Sequence, residues 1–258
     1  MPKFAANLSF LYADKPFLDR FAAAAADGFP AVEYVGPYAS PADDIRALLD
    51  RYDLTQALFN LPAGDWDAGE RGIGCLPDRV EEFREGVDKA LTYAQALDCG
   101  KLNCLAGIAP VGADPELLER TLVENLVYAA RLCAEAGVRL LLEPINLRDI
   151  PGFFVSTTDH AERILDDVGS DNLFLQYDIY HTQVMQGDLI ATFERLAGRI
   201  AHVQVADNPG RHEPGTGEIN YANVFRALDA AGYDGFVGCE YKPLAGTSEG
   251  LGWMKPYT

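Results

Sequence analysis

Short runs of β-branched and other apolar residues alternate with long amphipathic stretches from one end of the chain to the other. The short runs predict strands at 4–8, 31–35, 54–59, 101–105, 139–142, 173–177, 200–205 and 236–239. Between them apolar residues recur at helical spacing over 16–27, 41–52, 77–97, 115–136, 158–168, 188–196 and 221–231. Pro16, Pro41, Asp114-Pro115 and Thr157-Thr158 supply helix-entry chemistry, and Gly28, Gly137 and Gly232 stand where helices must stop. Eight strands alternating with helices imply parallel βαβ units, and the count of eight favours a closed (β/α)₈ barrel over an open sheet. The 258 residues match the roughly 250 of one such barrel, so the expectation is a single α/β domain over residues 1–258. No Gly-x-Gly-x-x-Gly follows the first strand, which speaks against a dinucleotide-binding sheet.

The ends of the last four strands carry the chemistry. Strand five runs into Glu143-Pro144, strand six into Asp178, strand seven carries Gln204 near its end, and strand eight delivers Glu240. Consecutive strands lie about 4.8 Å apart, so four oxygen-bearing side chains meet at one end of the barrel. Three crowded carboxylates repel one another unless a cation joins them, and all-oxygen ligation suits Mg²⁺ or Mn²⁺ better than Zn²⁺. A strand-ending acid can instead cap the next helix, but four in succession fit a metal site better. His181 follows Asp178 as Asp-x-x-His, close enough to touch a substrate. His202 shares the inward strand face with Gln204 and reads as a layer residue below the site, while His160 and His212 read as surface or loop residues.

Net charge changes the picture of partners. At −18 the chain lacks the clustered cations that nucleic acid or an anionic membrane would require. An anionic metabolite is still possible if cations are placed locally, and Arg71, Lys242 and Arg211 are the candidates. The 60–76 connection, with glycines at 64, 69, 72 and 74, is expected to be a mobile cover whose Arg71 reaches a substrate carboxylate. The Pro214-Gly-Thr-Gly217 turn has no lysine partner and reads as a shaping turn. The five cysteines form no Cys-x-x-Cys pair and fit free thiols in a reducing cytoplasm; no secretory signal or membrane-length apolar run is seen.

These residues resemble the hydroxypyruvate isomerase family of the xylose-isomerase-like barrels. The resemblance is carried by Asn60-Leu-Pro-Ala-Gly-Asp-Trp-Asp-Ala-Gly-Glu-Arg-Gly72, Leu142-Glu-Pro-Ile-Asn146 and Gln176-Tyr-Asp-Ile-Tyr-His181. It continues through His202-Val-Gln-Val-Ala-Asp-Asn-Pro-Gly-Arg211, Glu213-Pro-Gly-Thr-Gly-Glu-Ile-Asn-Tyr221 and Gly238-Cys-Glu-Tyr-Lys-Pro243. Glu-Pro-Ile-Asn is widespread among sugar isomerases and epimerases; the Gly-Asp-Trp and Glu-Pro-Gly-Thr-Gly-Glu loops are more specific. The resemblance implies Glu143, Asp178, Gln204 and Glu240 as metal ligands, with Glu143 and Glu240 also moving protons. It implies an intramolecular isomerase acting on a small anionic hydroxy-oxo acid, hydroxypyruvate or 2-oxo-tetronate, with a homo-oligomer possible. The related ketose 3-epimerases have His where this chain has Gln204, which ranks an epimerase second. A metal-dependent endonuclease, which uses the same barrel type, is disfavoured by the charge, and a catalytically dead binding module by the intact Glu143 and Glu240.

Overall fold

The structure, a computed structural model, describes residues 1–257; the expected domain's last residue, Thr258, lies outside them. The strands are β1 (Lys3–Asn7), β2 (Ala31–Tyr34), β3 (Thr55–Asn60), β4 (Lys101–Cys104), β5 (Arg139–Leu142), β6 (Leu173–Asp178), β7 (Ile200–Val205) and β8 (Phe236–Cys239). They pair in parallel in chain order, and β8 returns to pair with β1, so the sheet closes into the expected barrel. The helices are α1 (Arg20–Ala26), α2 (Ala42–Tyr52), α3 (Val80–Leu97), α4 (Pro115–Glu135), α5 (Thr158–Val168), α6 (Ile179–Met185), α7 (Leu189–Leu196), α8 (Tyr221–Ala230) and α9 (Thr247–Gly250). Two of them, α6 and α9, lie outside the stretches read from periodicity. At seven and four residues they are too short to display a helical repeat.

Local chemistry explains the helix limits. Asp114 caps α4 by accepting from the Glu116 amide at 3.0 Å, and Thr157 caps α5 by accepting from His160 at 3.2 Å. Asp53 and Asp98 end α2 and α3 in the left-handed conformation at φ 53°, a role glycine more often fills. At the two proline entries, short 3₁₀ turns at Phe17–Asp19 and Pro77–Arg79 precede α1 and α3, so the α-helices begin later than periodicity suggests.

Most of the apolar core lies between barrel and helices, with Phe4, Val32, Tyr34, Leu102, Leu140 and Val203 facing outward from the strands. Inside, two small buried clusters stand apart: Ala5, Ala31 and Ala57 with Phe236, and Leu58, Leu141 and Ala201 with Phe174. Alternation along the strands then directs Asn7, Glu33, Gln176, His202 and Gln204 inward as well. All five are buried, so the upper barrel interior is polar. That departs from the branched apolar layers usual in such barrels, and it puts donors and acceptors directly beneath the C-terminal mouth. All five cysteines are buried and free. Among the described residues no helix is long and apolar enough to cross a membrane.

Candidate active site

Glu143 leaves the end of β5 into the buried mouth, where its Oε2 accepts from Asn103 Nδ2 of β4 at 2.8 Å. Asp178 ends β6 and caps α6, its Oδ1 accepting from the His181 amide at 2.9 Å. Its other oxygen, Oδ2, is buried without a hydrogen-bond partner. An ionised carboxylate oxygen withdrawn from water and left bare is costly, so something with positive character belongs there. Glu240 follows β8 and accepts at Oε2 from Asn7 Nδ2 (2.9 Å) and Gln204 Nε2 (2.7 Å). Its Oε1 meets the Arg211 guanidinium in a close ion pair.

Electrostatics follow from this crowding. Burial pushes the Glu143 carboxyl well above the usual range, and the nearby Glu240 and Asp178 charges push it further. Burial likewise raises Glu240, to about 8; Asp178 and Glu33 add to the rise while Arg211 opposes it. Without a cation the cluster therefore holds protons near neutrality. The donor set, three carboxylates with one bare oxygen, fits a hard divalent cation.

His181 is buried beside these acids, its Nε2 standing 3.9 Å from Glu143 Oε1 and 3.8 Å from Asp178 Oδ2. Glu143, Asp178 and His181 offer potential ligand atoms within 4.8 Å of one another. The tautomer argues for a different use of the histidine. Asn146 Oδ1 accepts from the Asp149 amide at 2.8 Å, which turns Asn146 Nδ2 onto His181 Nδ1 at 2.6 Å. With Nδ1 accepting at the shorter contact, Nε2 carries the hydrogen and faces the site as a donor rather than a ligand, so the 3.4 Å approach of Arg211 Nη2, which can only donate, is not a hydrogen bond. Desolvation by burial lowers the His181 pKa to about 4, so the ring is neutral.

Of the three cation candidates, Arg211 alone lies against the acids. It is sandwiched between Phe10 (4.7 Å) and Tyr180 (5.3 Å), and its Nη2 stands 3.4 Å from His181 Nε2. Lys242 is exposed and joins the region through its backbone, its amide donating to Arg211 O at 2.7 Å. Arg71 stacks on Trp66 at 3.9 Å and donates to Trp66 O (2.9 Å) and Glu70 O (2.6 Å), so its polar contacts stay within its own loop. That loop is tied down. Glu70 holds the Asp65 amide at 2.5 Å and Arg79 at 2.7 Å, and Gly72 bridges to Ala106.

Gln204 reaches the site with its nitrogen toward Glu240, while its Oε1 accepts from Gln176 Nε2 at 2.6 Å. Its carbonyl oxygen, the atom a metal would need, thus faces a neighbouring amide. His202 sits in the layer below, as its alternation with Gln204 implies, 2.6 Å from Glu33. His160 bonds Glu119 on the flank at 3.1 Å, and His212 Nδ1 lies 2.8 Å from Lys242 O in a loop. Asn7 and Asn146, polar residues of the strand ends, line the site, whereas the Tyr241 hydroxyl turns outward to Trp253 Nε1 at 3.2 Å. Sequence reasoning missed Glu33, Asn103 and Phe10. For the first two a signal existed: a charged or amide residue in the middle of a strand buried on both faces. The 214–217 turn does shape a loop, because Asp207, buried, accepts from the amides of Asn208 (2.9 Å), Gly215 (2.7 Å) and Ile219 (3.1 Å).

Comparison with known proteins gives the family. The chain is 50% identical over 257 residues to a 2-oxo-tetronate isomerase of Cupriavidus necator, covering 100% of this chain and 99% of that one. It is 51% identical over 257 residues to the hydroxypyruvate isomerase of Escherichia coli K12, covering 100% of both. The crystal structure of a protein named AP endonuclease, family 2, from Brucella melitensis superposes with a TM-score of 0.97 at 47% identity, covering 100% of this chain and 99% of that one. A structure of L-ribulose 3-epimerase, at 22% identity and a TM-score of 0.76, shares the fold. Residues 21–257 match the model of one family, and this chain belongs to it: the xylose isomerase-like TIM barrels.

Proposed function

We propose that this chain is a divalent-metal-dependent isomerase that moves the carbonyl between C2 and C3 of a small hydroxy-oxo acid. Hydroxypyruvate, giving tartronate semialdehyde, is the first substrate and 2-oxo-tetronate the second. The observation that carries the reading is the meeting of Glu143 and Asp178 in a buried mouth, with Asp178 Oδ2 left without a hydrogen-bond partner and Glu240 contributing a further carboxyl at the same strand ends. Full-length relatives named for these two activities support it. Glu143, Asp178 and Glu240 would hold the ion; Gln204, the fourth expected ligand, keeps its oxygen on Gln176 and its nitrogen on Glu240, and so would orient Glu240 instead. Bound there, a divalent ion supplies Lewis acidity to the two substrate oxygens on which charge develops.

The chain's own groups do the rest. One of the two glutamates removes the C3 proton and the other returns a proton at C2, through an enediolate of the substrate. The neutral His181 donates its Nε2 hydrogen to the oxygen that gains charge, and does so without needing to change protonation state. Arg211 meets the substrate carboxylate, a placement suited to a guanidinium held rigid between two rings. Phe10 and Tyr180 also keep water from its faces.

An endonuclease reading, suggested by the name of the Brucella relative, is disfavoured by the −18 charge and an acid-lined mouth, which repel a phosphate backbone. Measuring kcat/KM for hydroxypyruvate and 2-oxo-tetronate with the same Mg²⁺ or Mn²⁺ tests the reading. Both should be turned over with the three-carbon acid modestly favoured, because one added CH₂OH is worth only about 1–3 kcal/mol unless its hydroxyl is specifically bonded. Activity on neutral ketoses alone would overturn the acid assignment.

A further inference from the structure

The barrel interior holds one acid that the chemistry above does not use. Glu33, on β2, is fully buried, and removing a carboxylate from water is expensive unless every lone pair is engaged. Its Oε1 accepts from Asn7 Nδ2 at 3.0 Å and from Gln204 Nε2 at 2.7 Å, and its Oε2 lies 2.6 Å from His202 Nε2. The same two amide nitrogens donate to Glu240 Oε2, at 2.9 Å from Asn7 and 2.7 Å from Gln204. Each nitrogen carries two hydrogens, so each gives one to Glu33 and one to Glu240. The amide oxygens are also engaged: Asn7 Oδ1 accepts from the Ser9 amide at 3.0 Å and Gln204 Oε1 from Gln176 at 2.6 Å.

A second observation shows that the fold makes room for this acid. Gly238 lies two residues before Glu240 on the same inward face of β8, and a Cβ there would stand 2.2 Å from Glu33 Oε1. Any side chain at that position would expel the carboxylate.

We propose that Glu33 is a positioning residue for Glu240. By taking one hydrogen from each amide it forces both nitrogens, rather than their oxygens, toward Glu240, and so fixes the plane of that carboxylate. This rests on the reading of Glu240 as a proton-moving group. Glu33→Gln keeps the shape and weakens the two-sided acceptor: with its NH₂ toward the two amide nitrogens it sets donor against donors, and with its NH₂ toward His202 it forces the His202 hydrogen onto Nδ1, which is buried without a partner.

The test is to compare E33Q, N7A and the E33Q/N7A double variant with the wild type by steady-state kinetics and by the crystal structure of E33Q. The expected result is kcat lowered about 10–100-fold in E33Q with KM little changed, as for other partners that orient a catalytic group. The double variant should lose less than the product of the two single losses, because both act on one oxygen. In the E33Q crystal structure the Glu240 carboxylate should be rotated from its wild-type plane. A kcat within about twofold of wild type, or penalties that multiply, would overturn the proposal. So would a Glu240 carboxylate left unmoved in E33Q. N7A, which removes one of the two shared amides without setting donor against donor, carries the kinetic test if E33Q does not fold. If the wild type turns over neither acid, the functional reading fails, and the orientation of Glu240 in E33Q still decides the role of Glu33.

Discussion

At the scale of single residues, the chemistry depends on which atom each side chain presents. Asn146 illustrates it: an amide fixed by one backbone hydrogen bond decides that His181 offers a hydrogen to the site and not a lone pair. Asn146→Ala should therefore lower kcat about tenfold with little change in metal affinity, the cost expected of a partner that orients a neighbour. Equal loss of metal binding in a direct titration would show instead that the imidazole is a ligand. Asp178→Asn separates the other way. The amide can still cap α6, so metal affinity should fall about 10–100-fold while the melting temperature in chelator does not drop. Glu143, Asp178 and Glu240 were legible because each ends a strand, where the barrel builds its sites. What single residues conceal is direction. Nothing in Gln204 announces that its oxygen faces Gln176, and nothing in Lys242 announces that it points to solvent, because both follow from packing across several strands.

Among the elements, all eight strands were legible from their apolar runs, since each is buried on both faces. The short α6 was not, although Asp178 beginning it is a cap that sequence can suggest. The 60–76 loop is the clearest difference. Its glycines suggest a mobile cover, yet Glu70 joins it to Arg79 in the turn before α3, Gly72 bridges to Ala106 just after β4, and Arg71 is parked on Trp66. Arg71→Ala should consequently raise KM for an acid no more than for an uncharged analogue, measured side by side. A rise confined to the acid would mean that the loop rearranges to deliver Arg71. Arg211→Met should produce that selective rise, because its guanidinium already lies among the acids.

For the whole molecule, the crowding of acids at the mouth becomes a statement about stability. A carboxyl raised in the folded state gives its full stabilisation below its unfolded value and loses it as pH climbs to the folded one. For Glu240 that window runs from 4.5 to about 8, and Glu143 shifts in the same direction. Chelated protein should thus have a melting temperature that falls between about pH 6 and pH 8, and added Mn²⁺ should raise it more at the higher pH. A metal effect that is equal at both would place the ion elsewhere. The charge of −18 is a whole-molecule property that sequence conveys fully, and it sets the context in which the proposed role of the buried Arg211 toward an anionic substrate stands. The most direct test of the account is turnover of hydroxypyruvate in D₂O by chelated and by Mn²⁺-loaded enzyme, with the product examined by NMR. Deuterium on the newly protonated carbon, from the loaded enzyme alone, is the predicted result. Full activity after exhaustive chelation, or complete retention of the substrate's own hydrogen over many turnovers, would contradict it.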